Sequence, residues 1–174
     1  ASAYGPLQIM FPMVGSLEDI RKAKEYLNLA KEQLKERKQQ FDEQIRIGIM
    51  IEIPAIALIA DLAAEEVDFA SIGSNDLTQY LSAADRMNPE VAAYYKSDST
   101  AMLRLLGFVF REFSKREKEI SVCGEMAGNP ETAQLLVGLG ARKLSMSSGN
   151  IAGVKAKLAE CTLQELTALA EKKL

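Results

Sequence analysis

The sequence predicts an α/β fold built around a parallel sheet. Short apolar runs that end in Gly, Pro or polar residues alternate along the chain with longer segments in which apolar residues recur every three or four positions. Strands that alternate with helices imply a parallel sheet with crossover connections, either a doubly wound open sheet or a closed (β/α)8 barrel. In both architectures the functional residues lie at the carboxyl ends of the strands.

Local signals place the elements in the order β-α-β-α-β-α-α-β-α-β-α. The first helix begins at Ser16, and Asp19 three residues later completes the pattern of a capping box. Pro54 and Pro130 stand where proline is favoured in a first helical turn, and Gly140 stands where glycine ends a helix. The strands are predicted at residues 7–13, 45–52, 67–73, 120–124 and 143–147. The main helices are predicted at residues 16–34, 54–66, 76–84, 100–115 and 130–139.

The number of strands bears on the choice between the two architectures. Five strands cannot close an eight-stranded barrel, and an open barrel exposes two hydrophobic edges. If the fold is a barrel, residues 1–174 therefore form only part of it, and we expect the exposed edge to favour association. With 48% hydrophobic residues in 174, the chain can bury the core of one compact domain or of a piece of one.

Composition excludes several classes of function. The 24 acidic and 21 basic residues are interspersed and give a net charge of −3, so no basic surface for nucleic acid or an anionic membrane is expected. No apolar run approaches the roughly 18 residues that a membrane span requires. The two cysteines, Cys123 and Cys161, are far apart, which suits a reducing compartment, and the absence of histidine disfavours a zinc site. A cytoplasmic protein is predicted.

Polar residues gather where the predicted strands end. Glu52 closes the second strand, Asp76 follows the third, and a Cys-Gly-Glu sequence begins at Cys123 at the end of the fourth. Two carboxylates at one rim suit Mg2+, which is typically held by one or two carboxylates together with water and substrate oxygens. Asp76 has an alternative interpretation as a helix-capping residue, whereas a carboxylate inside the apolar run around Glu52 is costly without a partner.

Three further residues are candidates for ligand contacts at the same rim. Asn75 could direct its amide to a phosphate or carboxylate near a helix N-terminus, although Ser-Asn-Asp is also ordinary turn chemistry. Arg86 could grip a phosphate bidentately, with a surface ion pair as the alternative. Cys123 could act as a proton donor or nucleophile, with inert packing as the alternative.

Three motifs in sequence resemble signatures of the PEP-utilising enzymes. They are residues 47–55 (IGIMIEIPA), 69–80 (FASIGSNDLTQY) and 123–128 (CGEMAG). The resemblance extends over nearly the whole chain, and within the family the CGEMAG form is similar to Enzyme I of the bacterial sugar phosphotransferase system. Residues 147–151 (SSGNI) depart from the usual ending of the family.

The resemblance implies a fold and a set of residue roles. The fold would be a (β/α)8 TIM barrel of the phosphoenolpyruvate/pyruvate type, with residues 1–174 supplying strands 4 to 8. Glu52 and Asp76 would ligate Mg2+, Asn75 and Arg86 would hold the phosphate of phosphoenolpyruvate (PEP), and Cys123 would be the acid/base at its C3 carbon. These expectations agree with the chemistry of the residue types, since phosphoryl transfer requires chiefly positioning and charge neutralisation.

The resemblance also implies partners. A phosphohistidine in an N-terminal domain would receive the phosphoryl group and pass it to the carrier protein HPr, pyruvate would be released, and the barrel would form a homodimer. Residues 1–174 contain no histidine, so this segment alone is expected to be inactive. Two alternatives stay open: a segment of pyruvate phosphate dikinase or PEP synthase, and a binding or dimerisation module without turnover.

Overall fold

The computed structural model describes all residues, 1–174, as an α/β structure with one four-stranded sheet. The strands are β1 (Gln8–Phe11), β2 (Arg46–Ile51), β3 (Phe69–Gly73) and β4 (Glu119–Cys123). The helices are α1 (Leu17–Glu36), α2 (Pro54–Leu58), α3 (Ala60–Glu66), α4 (Ser74–Ser82), α5 (Thr100–Lys115), α6 (Glu125–Gly128), α7 (Pro130–Leu139), α8 (Ser148–Ala159) and α9 (Leu163–Glu171), and a 3-10 turn covers Pro89–Val91.

The sheet is parallel throughout, as predicted, and its strand order is β1-β2-β3-β4. Each strand therefore pairs with its neighbour in sequence, whereas the strand order of a doubly wound sheet reverses at a switch point. Helices α1 and α3, α3 and α5, and α5 and α7 contact one another in succession. The winding thus proceeds in one direction across the sheet.

The two faces of the sheet differ in burial. Ile49, Ile51, Ile72 and Val122 lie in the hydrophobic core and are fully buried, because helices cover their face. Residues at alternate positions of the strands point to the other face. Met10 of edge strand β1 pairs with Gly48 on that face and is 39% exposed. One face is therefore sealed by helices, while the other is partly open.

Several local signals in the sequence act as predicted. Ser16 accepts a hydrogen bond from the Asp19 amide while the Asp19 carboxylate accepts one from Ser16, which completes the capping box of α1. Pro54 and Pro130 open α2 and α7, and Gly140 ends α7 in the left-handed region with φ of 120°. Because these caps satisfy free backbone groups, they fix where the helices begin and end.

Two predictions of secondary structure need correction. The fifth strand, residues 143–147, is reduced to a single bridge between Leu144 and Val122, because Ser147 already serves as the N-cap of α8 and leaves too few extended residues. The helix predicted at residues 54–66 is divided into α2 and α3 at Ile59, whose ψ of 33° interrupts the helical path.

None of the nine helices is both long enough and apolar enough to cross a membrane.

Candidate active site

The candidate residues lie where the strands end. Glu52 follows β2 directly, Asn75 and Asp76 lie in the first turn of α4 directly after β3, and Cys123 is the last residue of β4. Since the strands are parallel and adjacent, their carboxyl ends form one edge of the sheet, which we call the rim. The fold therefore brings four of the five predicted side chains to that edge, and Arg86 reaches it from the loop after α4.

The start of α4 is joined to the end of β4 by two hydrogen bonds. The hydroxyl of Ser74, which is fully buried, donates to the Cys123 carbonyl oxygen at 2.7 Å. The Asn75 Oδ1 accepts from the backbone amide of Glu125 at 2.9 Å. With Oδ1 occupied in this way, the Nδ2 group of Asn75 is left as the donor available to a ligand.

Gly124 allows this close approach between α4 and the chain after β4. Its φ of 94° is unfavourable for residues with a side chain. A Cβ at this position would lie 2.5 Å from the Ser74 Oγ and 2.8 Å from the Asn75 Oδ1. The glycine after Cys123 is therefore required by geometry.

Glu52 is 7% exposed and is tied to the end of β1. Its Oε1 accepts a hydrogen bond of 2.7 Å from the Met13 amide, and Met13 has a positive φ of 55°. The other oxygen, Oε2, lies beside Gly73, where an added Cβ would be 2.9 Å from it. The buried carboxylate thus has one satisfied oxygen and one directed toward the end of β3.

Cys123 lies on the same face as Glu52, with one methionine between them. The Cys123 Sγ is 3.8 Å from the Met50 Sδ and 3.4 Å from the Ile72 carbonyl oxygen. The Met50 Sδ would also lie 3.2 Å from a Cβ on Gly73. Cys123 as a residue is half-buried, and its thiol has fixed neighbours in Met50 and Ile72.

Asp76 and Arg86 form an ion pair of 3.2 Å between Asp76 Oδ1 and Arg86 Nη1. Both side chains keep more than a third of their surface exposed, 35% and 37% respectively. The backbone amide of Arg86 also donates to the Gln79 Oε1 at 3.1 Å, which folds the loop back along α4. Because an exposed pair contributes little stability, either partner can be redirected to a ligand at small cost.

Tyr95 approaches the same helix turn from the far end of that loop. Its hydroxyl donates to the Asn75 carbonyl oxygen at 3.2 Å. Burial raises the pKa of the Tyr95 phenol and the charge of Glu125 raises it further, while Arg86 lowers it through its charge and a side-chain hydrogen bond. The phenol is therefore protonated near neutral pH and available as a donor.

Nothing in the structure groups three or more His, Cys, Asp or Glu side chains around one point. A cation at this edge would thus depend on two carboxylates, Glu52 and Asp76, plus oxygens from water or substrate.

Sequence reasoning gave no role to Ser74, although it noted the Ser-Asn-Asp sequence, and it missed Tyr95 altogether. A tyrosine in a long loop carries no pattern that would have revealed it.

Comparison with known proteins places these motifs in a family. The model of the PEP-utilising enzyme, PEP-binding domain, matches residues 1–163. Multiphosphoryl transfer protein 2 of Escherichia coli is 46% identical over 95% of the chain. The phosphoenolpyruvate-protein phosphotransferases of Priestia megaterium and Bacillus subtilis are 43% and 42% identical over 95% and 99% of it.

The aligned part is a minor share of each relative. The chain spans 20% of the Escherichia coli protein, 29% of the Priestia megaterium protein and 30% of the Bacillus subtilis protein. The family match nevertheless covers both α4 and the end of β4, which carry the candidate residues. This chain belongs to the PEP-utilising enzyme family, and its residues 1–163 match the PEP-binding domain of that family.

Proposed function

We propose that this chain binds PEP together with Mg2+ as part of a longer phosphoenolpyruvate-protein phosphotransferase. In that protein the phosphoryl group would pass to a histidine of an N-terminal domain and then to HPr, and pyruvate would be released. The observation that carries the proposal is the joining of the β3 and β4 ends through Ser74 and Asn75, which places carboxylate, amide, guanidinium and thiol groups around one rim. The similarity to named phosphotransferases supports it.

The fold supports assigning the sheet to part of a (β/α)8 barrel. Four parallel strands in sequence order, with successive helices in contact, follow the winding of a barrel wall. Edge strand β1 pairs only with β2, so its outer side is available to a further strand. The partly open sheet face would then be the barrel interior, and the rim would be its catalytic end.

The residues at the rim fit Mg2+ in their chemistry. Glu52 and Asp76 offer two carboxylates, which matches an ion that usually takes one or two carboxylates plus substrate phosphate oxygens. Mg2+ would supply charge neutralisation for the transferred phosphoryl group. The Met13 amide holds Oε1 of Glu52, so the buried side chain keeps its orientation without a cation.

Asn75 and Arg86 would hold the phosphate. The Asn75 amide is oriented by the Glu125 backbone, so its Nδ2 donor is fixed before the ligand arrives. Arg86 can exchange its contact with Asp76 for a phosphate, because a Mg-phosphate unit presents both a cation to Asp76 and an anion to Arg86. The exposed ion pair would thus be replaced without leaving either charge unpaired.

Cys123 would complete the reaction by donating a proton to the C3 carbon of the pyruvate enolate. Loss of the phosphoryl group leaves the enolate of pyruvate, and its C3 carbon requires one proton to give the methyl group. The Cys123 S–H bond would break, the C3–H bond would form, and the resulting thiolate would take a proton from water in the next cycle. The Ser74 hydrogen bond to the Cys123 carbonyl fixes the backbone that carries the thiol.

The proposal is tested by titrating the chain with PEP in a calorimeter, with and without Mg2+. We expect saturable binding that requires the cation, and much weaker binding in excess chelator. Turnover is tested in the longer phosphotransferase by following pyruvate release with HPr present. Absence of any PEP binding by a folded chain at millimolar ligand and Mg2+ would refute the proposal.

A further inference from the structure

Tyr95 is a half-buried titratable residue for which the steps above require no chemistry. It lies in the loop between α4 and α5, far along the chain from the β3 end, yet its hydroxyl reaches the first turn of α4. The neighbouring Tyr94 is 70% exposed, which is the ordinary state of a loop tyrosine. Tyr95 is thus more buried than its neighbour Tyr94, which indicates that its contact with α4 has a structural role.

The loop that carries Arg86 is attached to α4 at both of its ends. Near its start, Arg86 pairs with Asp76, and near its end, Tyr95 donates to the carbonyl of Asn75. The two anchor points are consecutive residues of α4. Between them the 3-10 turn at Pro89–Val91, capped by Asn88, gives the loop a folded path.

The two attachments differ in what a phosphate ligand would do to them. The ion pair of Arg86 must be exchanged when the guanidinium turns to a phosphate, so in the bound state the start of the loop keeps only the hydrogen bond from the Arg86 backbone amide to the Gln79 Oε1. The Tyr95 hydroxyl also lies within hydrogen-bonding reach of the Arg86 side chain, but its bond to the backbone carbonyl of Asn75 involves none of the proposed ligand-binding side chains. The bond from Tyr95 to Asn75 can therefore persist while the ion pair between Arg86 and Asp76 is released.

We infer that Tyr95 is a positioning residue, which keeps the Arg86 loop folded over the first turn of α4 so that Arg86 and Asn75 can hold one phosphate together. This inference rests on the proposed PEP site. It extends the phosphate-binding group from two residues that touch the ligand to a third that acts through them.

The inference is tested with Tyr95→Phe, which removes only the hydroxyl, and with Tyr94→Phe as the matched control. Both variants are titrated in the presence of Mg2+ with PEP and with oxalate, a dianion that offers two oxygens to the cation and has no phosphate. We expect Tyr95→Phe to bind PEP about three- to tenfold more weakly, which is the usual effect of one lost hydrogen bond. Oxalate affinity should stay unchanged, and Tyr94→Phe should match the wild type with both ligands.

A second measurement asks whether Tyr95 acts through Arg86. In an Arg86→Ala background, Tyr95→Phe should produce no further loss of PEP affinity, because residues that act as one unit show non-additive effects. Equal weakening of PEP and oxalate would mark a general structural role and overturn the inference, and so would an unchanged affinity for PEP. If the wild-type chain binds neither ligand, the proposed function itself fails and the inference falls with it.

If Tyr95→Phe does not fold, as judged by circular dichroism, Tyr95→Leu provides the same comparison, since it also removes the hydroxyl. Selective loss of PEP affinity over oxalate in the folded variant supports the inference, and equal loss of both ligands overturns it.

Discussion

At the scale of single residues, Cys123 is the group whose two possible roles differ most in their consequences. A half-buried thiol next to the Met50 sulfur could be a packing residue or a proton donor. We expect Cys123→Ser to keep PEP binding and to slow pyruvate release by about 100-fold or more, because a hydroxyl is a far weaker acid than a thiol. Pyruvate formation by the longer phosphotransferase, with PEP affinity measured in parallel, checks this.

Cys161 gives the control for that experiment. It is also half-buried, and its sulfur accepts a hydrogen bond from the Gln134 side chain, away from the rim. Cys161→Ser should therefore leave pyruvate release unaffected. Wild-type turnover in Cys123→Ser would remove the proton-donor role and leave the phosphate and metal assignments in place.

Asp76 offers a second test at this scale. Asp76→Asn removes one charge and one strong oxygen ligand, so we expect the Mg2+ concentration required for half-maximal PEP binding to rise about tenfold or more. The same titration with Asp61→Asn, a change in the first turn of helix α3, should match the wild type. A Mg2+ requirement unchanged in Asp76→Asn would return Asp76 to the role of a helix-terminal residue paired with Arg86.

The residue types at the strand ends were predictable because they break an apolar pattern. Glu52 and Cys123 stand out in apolar runs, and Asp76 lies beside a strand end. The anchoring residues could not be predicted, since Ser74 and Tyr95 act through backbone carbonyls 49 and 20 residues away in sequence. Such contacts depend on how the elements pack and leave no periodic signal.

At the scale of elements, the crossing of α7 and α9 depends on one glycine. A Cβ on Gly138 would collide with the backbone oxygen of Leu166 and lie 3.0 Å from the Ala170 Cβ. We expect Gly138→Ala to lower the free energy of unfolding by about 1–3 kcal/mol, because backbone atoms cannot move aside easily. Denaturant unfolding followed by circular dichroism measures it.

Gly153 in α8 is the matched control. Nothing lies within 4 Å of a Cβ built at this position. Gly153→Ala should therefore be neutral or stabilise by about 0.5–1 kcal/mol, as expected of alanine in a helix interior. Equal effects of the two substitutions would contradict the close crossing of α7 and α9.

Helix α5 carries an ion-pair cluster centred on Glu112, whose side chain is 10% exposed. Hydrogen bonds from Lys115, and also from Arg111 and Arg116, lower the pKa of Glu112 below its ordinary value of 4.5. Because the pKa is lowered by folding, the carboxylate stabilises the fold above about pH 5, and this contribution is lost as the pH falls through the lowered pKa.

Glu112→Gln should accordingly lower the melting temperature near neutral pH, and the difference from wild type should shrink as the pH is reduced to about 3. Glu36→Gln, at an exposed position of α1 outside the ion pairs, serves as the control and should show little difference at either pH. A gap between wild type and Glu112→Gln that stays constant with pH would show that charge is not the cause.

The elements were largely predictable, and the exceptions have local reasons. The capping box at Ser16, the proline at Pro130 and the glycine at Gly140 are confirmed as helix ends, because each depends only on neighbouring residues. The predicted fifth strand was too long, because its pairing depends on the position of Val122 and on the start of α8. Neither can be inferred from an apolar run alone.

At the scale of the whole molecule, the proposed binding of PEP can be tested in this chain separately from turnover. Residues 1–174 contain no histidine, so PEP bound at the rim would find no histidine within the chain to receive its phosphoryl group. The ligand should thus remain intact during a binding experiment. The rim is formed by the ends of three adjacent strands, one of which ends at Cys123. A ligand bound at the rim should therefore reduce the access of reagents to the Cys123 thiol.

The reaction of Cys123 with a thiol reagent therefore tests the central claim most directly. Alkylation rates of Cys123 and Cys161 are followed by mass spectrometry in the folded chain, alone, with PEP, and with PEP and Mg2+. PEP with Mg2+ should slow the reaction of Cys123 severalfold and leave that of Cys161 unchanged, with little protection by PEP alone. Equal reactivity of Cys123 under all three conditions, at saturating ligand, would contradict a Mg-PEP site at the ends of these strands.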